Sequence, residues 1–477
     1  MKISTGVKNI LWYQITFILS IGLPIFTLPI FTRYLSLTDY GLISLANIYG
    51  ILVVGVCNLG LITSFERNFY EAENSTKKIT LLWTCIITVL TILILAFFST
   101  YVFQKQISNL LFITVLPQYL LLFSLINLGT KSLIQYFYIY FKCSENSYNY
   151  LKISVFESFL SSGLALYFVV HESLGIIGYV FGQAMGVSIV FFFLVMLLIF
   201  KKGISFNIIQ LKSSIKLGVP LIPKIFFGII NGQFDRYMIG ILANIGSLGI
   251  YDLAQKIANT SFSFITAIEK VYSPKIFKLY FEAKNEFNKK SGTLLTPFFY
   301  IIFFFCFLVG LFSEELLFIL TTSEFHNAYP LIIPLVMIYG IYFFGTTGQL
   351  LLAKKTKLIS KISLGGLFLN IIFNYPMIKY YGATGASWAT FVSGLIISLI
   401  SFYFSQKNAK INYPNHLIWT VLLFLIGLMS TSILFQLNFS YSFRLFFKLI
   451  NIIAFLLLCY KMNVFSLIST LLKTNKL

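Results

Sequence analysis

The stretch GVPLIPKIFFGIINGQFDRYMIGILANIGSLGIYDLAQKI, Gly218 to Ile257, holds two apolar runs that are separated by a short turn. Each run is about 20 residues long, which suits a helix that crosses the hydrocarbon core of a bilayer. The first run nevertheless carries Asp235 beside Arg236, and the second carries Asp252 and Lys256. An ionised side chain at membrane depth costs several kcal/mol, so it usually faces a water-filled cavity or a partner. The stretch predicts membrane helices whose charges line a cavity or pair with one another.

The whole chain has the composition of a polytopic membrane protein. It has 477 residues, of which 58% are hydrophobic and only 10% charged, and its mean hydropathy is +0.87. So little charge cannot cover a soluble surface of this size. The apolar runs are helix-length and lack the short alternation of a membrane β-barrel. We therefore predict an all-α integral membrane protein with about fourteen transmembrane helices. These lie near residues 10–32, 41–64, 79–102, 109–131, 151–170, 174–200, 216–241, 247–270, 293–312, 328–352, 362–378, 384–405, 415–435 and 444–460. The helix at 109–131 has an alternative end, with an extension toward Tyr140.

The basic residues give the orientation. With the N-terminus assigned to the cytoplasm, 27 of the 35 Lys and Arg residues fall on the cytoplasmic side, Lys131 among them. Five fall outside, and three lie within helices. The outside set is Arg33, Lys105, Lys379, Arg444 and Lys448, and the helical set is Lys224, Arg236 and Lys256. Positive charge concentrates on cytoplasmic loops, so both termini are predicted to be cytoplasmic. The net charge of +20 suits anionic headgroups and gives no reason to expect nucleic acid.

Two pairs of similar segments indicate an internal repeat. LTDYGLISLA (Leu37–Ala46) resembles IGSLGIYDLA (Ile245–Ala254) at an offset of 208, and LGIIGYVFGQAMG (Leu174–Gly186) resembles YGATGASWATFVSG (Tyr381–Gly394) at an offset of 207. Six helices separate the copies, so they share one orientation and form a parallel pseudo-repeat. We predict an N-lobe over residues 1–205 (helices 1–6), a C-lobe over 206–405 (helices 7–12) and two added helices, 13 and 14, over 406–477. Two such lobes around a cavity are typical of alternating-access transporters.

The pair on helix 7 has two interpretations. Asp235 and Arg236 are neighbours, so they point about 100° apart and need separate partners. Arg236 lies about 8 Å from the predicted outer end of the helix and can reach the headgroups by extending along the helix. Asp235 is too short to do so, which favours a cavity for at least one of the two.

Helices 7 and 8 carry three further charges. Asp252 and Lys256 are four residues apart, acid first, which favours a pair on one helix face. They are either a self-neutralised structural pair or part of a polar cavity wall. Lys224 follows Pro220 and Pro223, and it either extends to the inner headgroups or lines the cavity where the prolines interrupt the helix.

Helix 5 carries a polar face around Glu157. The face consists of Ser154, Glu157, Ser158, Ser161, Ser162 and Ala165. Small and polar residues in this arrangement favour either close helix packing or a wet cavity. Glu157 is either a protonated, serine-bonded side chain or a carboxylate that couples proton flow.

The sequence contains little material for catalysis. It has no GxxxxGK[ST] phosphate-binding loop, and its five cysteines are dispersed without a CxxC pair. We therefore predict no catalytic residue, no metal site and no cofactor, and we expect any energy to come from an ion gradient, of H⁺ or Na⁺, or from the substrate's own gradient.

The stretch from Gly218 to Ile257 resembles the Wzx-type polysaccharide flippases. These belong to the multidrug, oligosaccharidyl-lipid and polysaccharide exporter superfamily. The resemblance rests on a proline-rich entry, an Asp-Arg pair and a Gly-Ile-Tyr turn, which are Pro220 with Pro223, Asp235-Arg236 and Gly249-Ile250-Tyr251. Arg33 with Asp39-Tyr40-Gly41 matches the first-lobe counterpart, and Gly382, Gly385 and Ala386 match the closing GxxGA element.

The resemblance implies a function. Such proteins flip undecaprenyl-diphosphate-linked oligosaccharide repeat units from the cytoplasmic to the outer leaflet of the bacterial cytoplasmic (inner) membrane. The products are O-antigen of lipopolysaccharide, capsule or a related surface polysaccharide, and the polymerase and chain-length proteins of the pathway are implied partners. The predicted substrate-binding cations are Arg236, Lys256, Lys224 and Arg33, and the predicted coupling or charge-pair residues are Asp235, Asp252 and Glu157.

Three other function classes are weaker matches. A cation-coupled multidrug antiporter of the same fold favours acids in its cavity, whereas cations are at least as numerous here. A polysaccharide polymerase or ligase usually has a large external loop with basic catalytic residues, which is not visible in this sequence. A structural scaffold needs neither intramembrane charges nor a repeat.

Overall fold

The computed structural model describes residues 5–112, 116–117, 119–282, 286–345 and 348–464. These residues form seventeen α-helices and no β-strand. The helices are α1 Thr5–Tyr34, α2 Leu37–Cys57, α3 Leu61–Glu71, α4 Ser75–Phe112, α5 Leu120–Cys143, α6 Ser147–Leu166, α7 Gly175–Lys202, α8 Ile208–Gly218, α9 Ile222–Leu242, α10 Ile245–Glu282, α11 Phe287–Leu311, α12 Ser313–Leu320, α13 Tyr329–Gly345, α14 Gly348–Leu352, α15 Thr356–Asn408, α16 Leu417–Gln436 and α17 Tyr441–Lys461. Short π or 3₁₀ turns occur at Tyr167–His171, Val219–Leu221 and Ser323–Ala328.

The predicted class, an all-α integral membrane protein, is confirmed. Within the described ranges, ten helices are long and apolar enough to cross a membrane. Each of the fourteen predicted runs overlaps at least one helix. The count of fourteen crossings stays a prediction.

Several predicted helix boundaries are wrong: for example, α10 continues to Glu282, past the predicted end at 270. The run 41–64 is broken after Cys57, because Leu59 and Gly60 adopt φ values of 48° and 69° and start the separate helix α3. The run 109–131 starts too early, because α4 continues to Phe112 and α5 begins at Leu120, whereas its extension toward Tyr140 is confirmed, since α5 ends at Cys143. Lys131 therefore lies in the middle of α5 and not at a cytoplasmic helix end.

Glycines shape the second pair of repeated segments in the same way in both copies. Gly175 and Gly382 both adopt positive φ, 52° and 55°, a conformation that glycine tolerates without steric cost. Three residues later, a Cβ on Gly178 would lie 2.8 Å from the Phe168 carbonyl oxygen, and one on Gly385 would lie 1.9 Å from that of Met377. Gly382 kinks the 53-residue α15, which separates the predicted helices 362–378 and 384–405.

The first pair of repeated segments packs reciprocally. A Cβ on Gly41 would lie 2.0 Å from the Ile245 carbonyl oxygen, and one on Gly249 would lie 1.9 Å from that of Leu37. Leu37 and Gly41 correspond to Ile245 and Gly249 at the offset of 208, so each copy presents the same glycine to the same carbonyl of the other. This arrangement agrees with the predicted pseudo-repeat.

The chain forms two compact units. The first comprises Met1–Gly249 and Leu320–Glu324, and the second comprises Ile250–Ile319 and Phe325–Leu477. The core of the first contains Phe65, Phe69 and Tyr136 with aliphatic side chains of α4 and α5. The core of the second contains packed rings of α11, α16 and α17, with Phe303 and Phe424 centred 4.8 Å apart. The lobe limits at 205 and 405 stay a prediction.

Candidate functional site

Helix α9 carries the Asp-Arg pair in the first unit. Pro220 lies in the 3₁₀ turn before α9 and Pro223 in its first turn, where a missing backbone N–H is tolerated. The prolines therefore divide α8 from α9 without kinking either helix. Asp235 and Arg236 are both half-buried, and Arg236 Nη1 donates to Gln233 Oε1 at 2.9 Å. Arg236 lies six residues before the end of α9, about 9 Å along the axis.

Helix α10 brings Asp252 and Lys256 together in the second unit. Lys256 Nζ lies 3.0 Å from Asp252 Oδ2, as the i, i+4 spacing predicts. The carboxylate is nearly covered, with 11% of its side chain exposed, whereas 40% of the lysine side chain is exposed. Lys256 lies about 17 Å along the axis from the start of the 38-residue α10.

A tyrosine of α13 extends this polar face. Gln255 Nε2 donates to Tyr339 Oη at 2.8 Å, and Tyr339 Oη donates to Asn259 Oδ1 at 2.7 Å. Tyr339 was not predicted, because a tyrosine inside an apolar run looks like any lipid-facing aromatic residue. Asp252, Gln255, Lys256 and Asn259 thus form one face of α10, which we call the α10 polar face.

Glu157 of α6 has its own partners in the first unit. Tyr138 Oη of α5 donates to Glu157 Oε2 at 2.5 Å, and Lys131 interacts electrostatically with the same carboxylate. Lys131 lies within α5, which corrects its assignment to the cytoplasmic side. It continues a polar stripe on α5 in which Ser124 donates to Asn47 at 2.9 Å and Asn127 donates to Gln183 at 3.1 Å.

The serine stripe of α6 is largely a packing surface. A Cβ on Gly182 of α7 would lie 2.5 Å from Ala165 Cα, and one on Gly186 would lie 2.5 Å from Ser161 Cα. Small residues at four-residue spacing allow two membrane helices to approach this closely. The polar face of α6 was predicted either to pack closely against another helix or to line a wet cavity. Ser161 and Ala165 pack closely against α7.

The remaining predicted cations are less informative. Arg33 is exposed in the last turn of α1. Lys224 lies in the first turn of α9, and its side chain is outside the described residues. Arg33, Glu157, Lys224, Asp235 and Arg236 belong to the first unit, whereas Asp252 and Lys256 belong to the second.

A buried ion-pair network in the second unit was also missed. Lys448 of α17 is fully buried and lies 2.8 Å from Glu314 Oε2 and 2.8 Å from Glu315 Oε1 of α12. Arg444 Nη2 donates to Glu314 Oε1 at 2.6 Å. Burial alone raises the pKa of the Glu314 carboxyl, but the hydrogen bonds from Arg444 and Lys448 outweigh it and hold the pKa below its ordinary value. The network ties α17 to α12.

Known proteins share this fold. The lipid II flippase MurJ, in an inward closed conformation, superposes with a TM-score of 0.70 at 17% identity, over 96% of this chain and 98% of that one. An inward-facing multidrug resistance MATE transporter superposes with a TM-score of 0.61 at 13% identity, over 83% of this chain and 94% of that one.

The sequence comparisons identify the family. The capsular polysaccharide biosynthesis protein CapF of Staphylococcus aureus is 30% identical over 207 residues, which are 42% of this chain and 52% of CapF. The chain thus matches about half the length of that relative. The polysaccharide biosynthesis protein family matches residues 7–280, more than half of the chain and the whole stretch with which the sequence analysis began. The resemblance to polysaccharide exporters is confirmed, and the chain belongs to the polysaccharide biosynthesis protein family.

Proposed function

We propose that this protein flips undecaprenyl-diphosphate-linked oligosaccharide repeat units from the cytoplasmic to the outer leaflet by alternating access. It would thereby supply precursors for O-antigen, capsule or a related surface polysaccharide. The observation that carries the proposal is the accessible ammonium of Lys256 on the α10 polar face. A diphosphate is an anion that such a cation binds, whereas an exposed charge in lipid would be strongly unfavourable.

The neighbouring side chains support a hydrated anionic site. Asp252 lies beside Lys256, which orients the ammonium and leaves most of its exposed surface available. Gln255, Asn259 and Tyr339 are hydrogen-bonded to one another and add polar groups suited to phosphate or sugar hydroxyls. Arg236 on α9 belongs to the first unit and is a separate proposed substrate-binding cation, whose guanidinium suits phosphate geometry.

The relatives support the same substrate class. The family is named for polysaccharide biosynthesis, CapF for capsular polysaccharide, and MurJ for flipping the lipid-linked precursor lipid II. A transporter needs no catalytic residue, and we infer that this protein is not an enzyme. Asp235 and Glu157 are the carboxylates we propose for coupling to H⁺ or Na⁺. We also propose an inner-membrane location, cytoplasmic termini and association with the polymerase and chain-length proteins of the pathway.

Deleting the gene tests the proposal. We expect surface glycan to disappear and lipid-linked repeat units to accumulate in the cytoplasmic leaflet, as measured by leaflet-specific enzymatic release of the glycan. Units that reach the outer leaflet but stay unpolymerised would indicate a polymerase instead. Unchanged glycan together with new drug sensitivity would indicate a multidrug antiporter.

A matched pair of arginine variants tests the site. Arg236→Ala should lower glycan output at least tenfold in the complemented deletion strain. Arg67→Ala is the control, because Arg67 is exposed and forms only a surface ion pair with Glu71. Full glycan output from Arg236→Ala at normal protein abundance would remove Arg236 from the transport path.

A further inference from the structure

The second unit contains a large cavity away from the α10 polar face. Its volume is about 760 Å³, and it lies between α13, the part of α15 after Gly382, α16 and the connecting segment 409–416. A volume of this size is within the range of small-molecule and cofactor sites, about 300–1,000 Å³. None of the residues assigned to transport in the proposed function lines this cavity.

The walls of the cavity are apolar along most of its length. Leu395, Leu399 and Phe402 of α15 face Val421, Leu422 and Leu425 of α16. Both helices are membrane spans by length and composition. The side chains Leu399 and Leu422 are also partly exposed at the protein surface, so the cavity opens toward the lipid. Such walls suit a hydrocarbon chain that is removed from the bulk bilayer.

Polar groups collect at one end of the cavity. This end is formed by Gln406, Lys410, Asn412 and Asn415, on the last turn of α15 and the segment that follows it. Lys410 is exposed. An apolar slot with a cation and amides at its mouth has the charge pattern of a lipid with an anionic headgroup.

Gln406 is held in place at this end of the cavity by the segment that follows α15. Its Oε1 accepts from the Ile411 backbone N–H at 2.9 Å, which fixes the orientation of the amide. The Nε2 group is buried and has no acceptor among the described residues.

We propose that this cavity holds one anionic phospholipid of the surrounding bilayer, as a resident lipid that is not transported. Its acyl chain lies between α15 and α16, and its headgroup lies against Lys410 and Gln406. On the orientation proposed above, this is a lipid of the cytoplasmic leaflet. The lipid fills a space that would otherwise separate α16 from α13 and α15. The inference does not depend on the transported substrate.

Native mass spectrometry of the purified protein tests the proposal. The detergent-solubilised chain is titrated with phosphatidylglycerol and, separately, with phosphatidylcholine. We expect one phosphatidylglycerol to bind well above the non-specific background, and phosphatidylcholine to bind several-fold more weakly. Equal binding of the two lipids would overturn the anionic assignment.

Two pairs of variants locate the site. Lys410→Ala should weaken phosphatidylglycerol binding about fivefold, the contribution of one lysine near an anionic surface, whereas Lys407→Ala should change it less than twofold. Lys407 is an exposed lysine on the same helix end that does not line the cavity. Leu422→Trp should obstruct the cavity and abolish specific binding, while Ile426→Trp, an exposed site one turn away that does not line it, should not.

The outcomes separate this site from the transport path. The thermal midpoint of Leu422→Trp is compared with that of wild type to show whether the variant folds. If it does not fold, the surface variant Lys410→Ala still tests the site. Equal effects of Lys410→Ala and Lys407→Ala would overturn the site. Displacement of phosphatidylglycerol by equimolar undecaprenyl phosphate would overturn its assignment as a resident lipid. Loss of lipid binding in Lys410→Ala with normal glycan output would support the proposal and leave the proposed function untouched.

Discussion

At the scale of single residues, the Asp252–Lys256 pair combines a structural and a functional interpretation. The pair is formed as the sequence spacing predicts, and 40% of the Lys256 side chain is exposed. A structural pair needs only that its charges cancel, whereas a substrate site needs the cation itself. The two roles respond differently to removing both charges at once.

A double variant therefore separates these roles. Lys256→Met alone leaves the nearly covered Asp252 without its ammonium, so glycan output should fall under either role. Adding Asp252→Asn removes the leftover charge, and output should stay at least tenfold below wild type if Lys256 binds the diphosphate. The measurement is surface glycan per unit of protein in the membrane. Recovery of output in the double variant would assign the pair to structure alone.

The network around Lys448 should be important for stability. Lys448→Met leaves Glu314 and Glu315 beside a single arginine in a buried site, which we expect to destabilise the protein by about 3–5 kcal/mol. The thermal midpoint in detergent measures the effect. Lys461→Met is the control, because Lys461 is exposed in the last turn of the same helix. Equal midpoints for the two variants would contradict the prediction.

Glu314 should make stability depend on acid pH. Its folded-state pKa is lowered from the ordinary value of 4.5, because hydrogen bonds to Arg444 and Lys448 outweigh the effect of burial. The carboxylate therefore contributes stability that is fully present above about pH 5 and is lost as pH falls through the lowered folded value. Thermal midpoints of wild type should drop below pH 4, and Glu314→Gln should show a smaller drop. Parallel curves for the two proteins would exclude Glu314 as the titrating group.

Only part of this residue-level arrangement was available from the sequence. Asp252 and Lys256 are four residues apart, so helical periodicity was sufficient to pair them. Glu314 and Lys448 are 134 residues apart, and nothing local indicates that α12 and α17 meet. Lys131 was placed at a helix end because a charge normally terminates an apolar run, whereas here Glu157 offers it a partner within the membrane.

At the scale of helices, glycines control how closely the repeated segments approach. Gly249→Ala would place a methyl group 1.9 Å from the Leu37 carbonyl oxygen, so the start of α10 must move away from α2. Overpacking of this kind costs typically about 1–3 kcal/mol, and we expect both the thermal midpoint and glycan output to fall. Gly232→Ala in α9 is the control, since a Cβ there meets nothing within 4 Å. A Gly249→Ala variant as stable and active as Gly232→Ala would mean that this contact is dispensable.

The helix boundary at Gly382 followed from the sequence, whereas the division of α8 from α9 at Pro220 and Pro223 did not. Hydropathy separated 362–378 from 384–405, and the structure places the positive-φ Gly382 between them. The break after Cys57 was missed, because Leu59 is an apolar residue in a left-handed conformation that hydropathy does not detect. The repeat was recognisable because both copies need glycine at corresponding places, for φ at Gly175 and Gly382 and for close contact at Gly41 and Gly249.

At the scale of the whole molecule, charge asymmetry predicts which side of the membrane each connection occupies. Correcting the position of Lys131 removes one of 27 cytoplasmic charges and leaves the asymmetry intact. The direction of transport depends on this orientation, since repeat units must be taken from the side on which they are made. The orientation itself is therefore the prediction that most needs a direct measurement.

Single cysteines at two exposed lysines provide that measurement. Lys105 follows the kink of α4 at Phe103, on the predicted outer side, and Lys407 lies at the end of α15 on the predicted cytoplasmic side. All five native cysteines are buried, so they should contribute little background labelling. In cells whose inner membrane is intact, a membrane-impermeant maleimide should label Lys105→Cys at once and Lys407→Cys only after that membrane is permeabilised. The reverse pattern would place both termini outside and would require the loading side of the α10 polar face to be reassigned.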